Sequence, residues 1–160
     1  MPSYKSVRPV PFSAAEMFAL VADVEQYPQF LPLCENLSVL TREAGPDGTS
    51  TIVATMTIGY KAIRESFTTR VSLDPEHRSI IVRHQDGPFK RLENVWGFRP
   101  RGEAACDVDF AIDYAFRSPV LGLLMGAVFE SAFRRFAEAF EQRAAVVYGV
   151  RPPATHTATT

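Results

Sequence analysis

The segment SPVLGLLMGAVFESAFRRFAEAFEQRAAVVYG, residues 118–149, is helix-patterned and follows an almost unbroken series of strand-patterned runs. Ser118 serves as the N-cap and Pro119 as the first helical residue, where a missing N–H leaves no bond unmade. Gly149, ahead of Pro152 and Pro153, supplies the stop. At roughly 1.5 Å per residue the spacing predicts one continuous helix about 45 Å long. Phe129, Phe133, Phe136, Phe140, Ala144 and Val147 recur every three or four residues and share a face. Glu130, Arg134, Arg135, Glu138, Glu141 and Arg143 mostly cover the other face. The first turns differ, because residues 118–129 carry no charge. Leu121, Leu123, Leu124, Met125 and Val128 spread apolar surface around the helix there, so this part requires more than one neighbour.

Upstream, Tyr4 to Val10 reads as a strand leading into a marked helix start. Ser13 and Glu16 form a capping box, with Phe12 and Met17 in the two positions of a hydrophobic staple. Met17, Leu20, Val21 and Val24 give a short amphipathic helix that ends near Tyr27-Pro28, and residues 29–34 form a compact apolar connection. Strands are predicted at residues 36–43, 49–58, 64–73, 79–85, 91–99 and 106–116, separated by turn signals such as Gly45-Pro46-Asp47-Gly48 and Asp86-Gly87-Pro88. Alternation turns Ile52, Ala54, Met56 and Ile58 to one side, as it does Phe67 with Val71, and Leu92 with Asn94 and Trp96. In the last strand Cys106, Val108, Phe110, Ile112, Tyr114 and Phe116 form a dry face, and Asp107, Asp109 and Asp113 a wet one. Strand, short helix, six strands and long helix make an α+β chain. A sheet that closes over its last helix encloses an apolar cavity.

The 160 residues are 46% hydrophobic and 22% charged, enough for one substantial core. One domain over residues 1–149 and a disordered tail at 150–160 are expected. A net charge of -1 and a pI near 6.3 give no global attraction to nucleic acid, although Lys61 to Arg101 holds nine Lys/Arg against five Asp/Glu. Cys34 and Cys106 lack a C-x-x-C arrangement, which signals neither redox nor zinc chemistry. The N-terminus has no apolar signal core, and no run approaches the ~20 apolar residues of a membrane span, so a cytoplasmic protein is expected.

No phosphate loop, dinucleotide fingerprint, nucleophile elbow or clustered metal ligands occur. His77 falls in a turn and His156 in the tail, both solvated, while His84 sits at a strand end. Glu65 shares strand parity with Phe67 and points inward, where a carboxylate needs a hydrogen-bond partner or a shifted pKa. With no convergent acid–base pair, no catalytic residue, metal or cofactor is expected.

Four segments together carry a family resemblance. They are residues 23–32 (DVEQYPQFLP), Gly59-Tyr60 with residues 65–71 (ESFTTRV), residues 87–98 (GPFKRLENVWGF), and residues 139–144 (AFEQRA) with Tyr148-Gly149. In this order the chain resembles the coenzyme Q-binding branch of the START superfamily, a group that includes the RatA-type ribosome-association toxins and sits near polyketide cyclases and aromatases. The resemblance implies a helix-grip fold of the START/Bet v 1 type, a curved antiparallel sheet wrapped around the C-terminal helix with a cavity between them. It implies non-enzymatic binding of ubiquinone or another polyprenyl lipid as ligand, in support of respiratory electron transport or quinone biosynthesis. Contact sites are then expected at Tyr27, Phe30 and Leu33 from the early connection. The sheet would add Met56, Ile58, Glu65, Phe67, Phe89, Leu92, Asn94 and Trp96, and the helix Leu121, Leu124, Met125, Phe129 and Phe133. Tyr27, Asn94, Trp96 and Lys61 are candidate donors to a ring carbonyl. The alternatives are a ribosome partner of the RatA type, met through the mildly basic middle strands, and cyclase or aromatase chemistry in the cavity. For the uncharged residues 118–129 two readings stand. Either Tyr27, Phe30 and Leu31 pack over them as a second core, or the two parts separate as a gate, peripherally at the inner face of the membrane.

Overall fold

The computed structural model describes residues 3–152. Strand β1 (Ser3–Val10) leads through Phe12 into helix α1 (Ala14–Ala22), whose start carries the expected capping box. The Glu16 backbone N–H donates to Ser13 Oγ at 3.0 Å and the Ser13 N–H donates to Glu16 Oε1 at 2.9 Å. Helix α1 ends at Ala22, and a 3-10 turn (Val24–Gln29) that contains Pro28 carries the chain onward. The chain then meanders through β2 (Cys34–Ala44), β3 (Ser50–Tyr60), β4 (Ile63–Asp74), β5 (Ser79–Asp86), β6 (Phe89–Arg101) and β7 (Ala105–Phe116).

These strands form one antiparallel sheet in the order β1-β7-β6-β5-β4-β3-β2. Adjacent strands from β2 to β7 are joined by short turns, whereas α1 and the 3-10 turn carry the chain from one sheet edge to the other. Register shifts at Cys34/Asn36 and Val39/Thr41 in β2, at Thr68/Thr69 between β4 and β5, and at Phe89/Arg91 in β6 bend the strands. A sheet bulged in this way curves around its contents.

The expected single C-terminal helix is two helices, α2 (Pro119–Arg134) and α3 (Phe136–Tyr148), interrupted at Arg135. There the chain tightens, with the Arg135 N–H donating to the Ala132 carbonyl at 3.0 Å. Neither Gly nor Pro marks the break. It reflects two different neighbours: α2 lies against β7 and β1, whereas α3 packs on α1. The Arg134 guanidinium sits 5.0 Å above the Tyr4 ring on one side of the break, and Phe136 packs on Phe133 and Phe110 on the other.

The C-terminal end is pinned to the start of α1. Tyr148 Oη donates to the Glu16 carbonyl at 2.9 Å, and Arg151 donates to both Glu16 carboxylate oxygens at 2.7 and 2.9 Å while covering the Phe12 ring. The expected tail therefore folds back at Arg151, and residues 153–160, with His156, lie outside the described residues. The core is one cluster in which Trp96 meets Phe110 and Phe140 edge-on at 4.8 and 5.0 Å. Cys34 and Cys106 are buried free thiols, and burial pushes them up to about 11 and about 12. No helix among the described residues is long and apolar enough to cross a membrane.

Candidate functional site

Between the concave sheet face and the two C-terminal helices lies a cavity of about 90 Å³. Strand parity builds most of its wall: Met56 and Ile58 on β3, Phe67 and Thr69 on β4, and Leu92, Asn94 and Trp96 on β6 point into it with Phe89. Helical spacing adds Phe129 and Phe133 from α2, with Phe136 and Phe140 from α3. The 3-10 turn contributes Tyr27, and the connection from it to β2 contributes Leu31 and Leu33. Leu33 adopts a φ of 71°, a left-handed conformation that costs a leucine roughly 1–2 kcal/mol. Its carbonyl accepts the Gly59 N–H at 3.0 Å, which ties the connection to β3.

Among the described residues no charged side chain lines this space. Its polar groups are mostly engaged. Trp96 Nε1 donates to Asn94 Oδ1 at 2.9 Å, and Asn94 Nδ2 donates to the Ala111 carbonyl at 2.9 Å. Tyr27 Oη donates to the Val21 carbonyl, and burial raises its pKa. These donors brace the wall instead of standing free for a ligand carbonyl. Lys61, the fourth candidate donor, is exposed in the β3–β4 turn and lies outside the cavity lining.

Five of the sixteen expected contact residues stand outside the lining. Glu65 keeps its inward parity but pairs with Ile58 near the β3–β4 turn, beyond the cavity end. Phe30 packs edge-on against Tyr27 and Phe140 and under the Arg143 guanidinium, behind the wall. Met125 is buried without reaching the cavity. Leu121 is half-buried, and Leu124 is 61% exposed. The early connection covers α3 at Phe140 and leaves the first turns of α2 uncovered, with Val120 65% and Leu123 86% exposed. A second core over those turns is therefore not what the fold builds.

The inward positions left unnamed include Thr69, Val71, Val82, Ile112, Phe136 and Phe140. Alternation and helical spacing already turned Thr69, Val71, Ile112, Phe136 and Phe140 inward, so their signal was present. Leu31 and Pro32 carry no periodic signal, because the connection that places them has irregular geometry.

On the convex face, the wet-side aspartates pair with arginines of β6. Asp113 meets Arg91 at 2.8 Å, Asp109 meets Arg99 at 2.7 Å, and Asp107 meets Arg101 at 2.8 Å. Asp107 is only 4% exposed, so it is a covered ion-pair member instead of a solvated one. With Arg64–Glu35 and Arg83–Glu93, these pairs engage five of the nine cations between Lys61 and Arg101.

A curved sheet gripping C-terminal helices around an uncharged interior defines the helix-grip class of ligand-holding folds. The chain belongs to the polyketide cyclase/dehydrase and lipid transport family, which it matches over residues 10–141. It is 36% identical over 151 residues to the ribosome association toxin RatA of Escherichia coli, covering 94% of this chain and 92% of that one. It is 28% identical over 149 residues to a mitochondrial coenzyme Q-binding protein homolog of Xenopus laevis, covering 91% of this chain and 59% of that protein. A START superfamily protein from Mycobacterium smegmatis shares the fold with a TM-score of 0.74 at 22% identity, over 91% of this chain and 98% of that chain.

Proposed function

We propose that this protein binds ubiquinone or a related polyprenyl lipid in its cavity, without chemistry, in support of respiratory electron transport or quinone biosynthesis. The observation that carries this reading is the uncharged, aromatic-rich wall around the cavity. A charged ligand would lose its hydration there without recovering a partner, whereas an apolar ring loses nothing. The same lack of charge leaves no acid–base pair facing the cavity, which favours holding over cyclisation. The similarity to a coenzyme Q-binding protein supports the ligand class.

The volume constrains the mode of binding. About 90 Å³ is below the ~300–1,000 Å³ of ligand pockets, so a quinone with its tail enters only if the walls part. The uncovered start of α2 is the place where apolar side chains meet solvent. In this reading the protein works in the cytoplasm, peripherally at the inner face of the membrane, with that helix start in the lipid interface.

The test is to purify the protein from its native host and analyse co-purified lipids by mass spectrometry, beside an Ala54→Phe variant whose cavity is filled. A quinone or polyprenyl lipid recovered with the parent and lost from the variant is the expected result. Equal recovery from both places the lipid elsewhere.

A second reading, ribosome association, is favoured by the 36% identity to RatA. It relies on phosphate contacts, which make binding fall steeply with salt. Lys61, Arg70, Arg78 and Lys90 are the cations of the middle strands that remain for it after the ion pairs above.

A further inference from the structure

Among the described residues Ser6 Oγ, His84 Nε2 and Arg143 Nε are buried without a hydrogen-bond partner, and of these His84 stands on a strand that lines the cavity. His84 lies at the end of β5, two residues beyond the cavity-lining Val82, and faces Thr69 across the β4–β5 pair. Its Nε2 is buried without a hydrogen-bond partner. Buried polar atoms are nearly always satisfied, so an orphan signals an absent partner.

The backbone around the imidazole is built to place it. The β4–β5 register runs Thr68 to Asp86 and then Thr69 to His84, so Gln85 is bulged out and His84 keeps the inward side. Gly87 follows with a φ of 135°, and a Cβ there would lie 2.5 Å from that of Phe67, so only glycine allows this approach. A second register shift, between Phe89 and Arg91, lets the buried Phe89 ring meet the imidazole edge-on at 5.6 Å between centroids. Phe89 also lines the cavity, so the imidazole stands directly behind that ring of the cavity wall.

The free nitrogen has a defined character. Nε2 is buried without a partner whereas Nδ1 is not, so the proton of the neutral ring is better satisfied on Nδ1. A proton on Nδ1 leaves Nε2 as a bare acceptor in the neutral ring. Burial, and then the Arg117 charge, hold the pKa of His84 below the usual histidine value, against the Asp86 carboxylate and backbone.

Resting on the reading of the cavity as an apolar ligand site, we propose that His84 Nε2, with the Thr69 hydroxyl opposite, is a subsite for a hydroxyl-bearing aromatic ring. A phenol or hydroquinone O–H donates to Nε2. A quinone carbonyl or an ether oxygen, being an acceptor only, leaves Nε2 unpaired. The favoured cargo is therefore the reduced, hydroxylated ring, and the tail alone does not set selectivity.

The probes are 4-hexylphenol and its methyl ether 4-hexylanisole, titrated against the fluorescence of Trp96, the single tryptophan, which lines the cavity. The parent should bind the phenol about tenfold more tightly than the ether, as one hydrogen bond allows. In His84→Phe the ratio should fall to about one while ether affinity is kept. In the parent, the 15N resonance of Nε2 should shift with the phenol and not with the ether. Equal affinities in the parent, or a ratio that persists in His84→Phe, overturn the subsite and leave the cavity reading standing. If neither probe binds, the cavity reading fails and takes the subsite with it.

Discussion

Trp96 shows how a residue read as a ligand donor becomes a structural brace. Its ring fills the space among Phe98, Phe110 and Phe140, and its N–H is spent on Asn94, itself anchored to Ala111. Trp96→Leu should therefore lower stability by roughly 3 kcal/mol, through lost packing and an Asn94 oxygen left without its donor. It should also weaken quinone binding about tenfold or more, whereas Asp109→Asn on the convex face should leave binding unchanged. Thermal denaturation and quinone titration of the two variants check this, and equal affinities would exclude the concave face as the contact. Glu16 belongs to the pH response. Chiefly through the hydrogen bonds from Arg151, its carboxyl is lowered from 4.5 to about 2. A depressed carboxyl pKa contributes stability above about 4.5 that is lost as pH falls towards about 2. Arg151→Met should lower the melting temperature at pH 7, and the gap from the parent should narrow across that acid window. A gap independent of pH would assign the effect to the Phe12 contact instead. The inward parity of Trp96 was legible because strand alternation is local. The Glu16–Arg151 pair was not, because it joins positions far apart in the chain.

Among the elements, α2 departs most from what its pattern implied. Ser118 caps it as expected, with the Leu121 N–H donating to Ser118 Oγ at 3.2 Å. The excess of apolar residues over residues 118–129 was also correctly seen as more than one covered face requires. What covers them was not, since the early connection docks on α3 and leaves Val120, Leu123 and Leu124 facing solvent. Exposed Arg117 directly precedes this start, which suits the proposed contact with an anionic lipid surface. Leu123→Lys, at so exposed a position, should change stability by no more than about 0.5 kcal/mol. It should reduce binding to phosphatidylglycerol vesicles about tenfold, since a leucine side chain no longer enters the interface. Cosedimentation with vesicles gives the first quantity and chemical denaturation the second. Unchanged vesicle binding in a folded variant would rule out the proposed membrane contact of this helix start. The break at Arg135 illustrates the converse limit: hydrophobic spacing ran on without interruption from Phe129 to Ala144, and nothing local announced a change of neighbour.

The chain as a unit is a sheet whose two edges are linked by α1 and the 3-10 turn, with α2 and α3 held against its concave side. Its concave face is apolar and its convex face is laced with arginine–carboxylate pairs. That division suits the proposed lipid inside and leaves few unpaired cations for a phosphate backbone outside. Period-two alternation, the capping box and the turn dipeptides were enough to fix the α+β class, the strand order along the chain and the inward-facing residues of β3, β4, β6 and β7. Each is a short-range property, in which a residue's own neighbours set backbone geometry and hence side-chain direction. The quoted motifs added the helix grip. The closeness of Phe89 to His84, the orphan Nε2, the position of Asp107 under two arginines and the volume left between sheet and helices depend on register shifts and on where separate elements meet. Even where the partners are near in sequence, as Phe89 and His84 are, the geometry is set by bulges and by the packing of side chains against one another, which no local periodicity encodes.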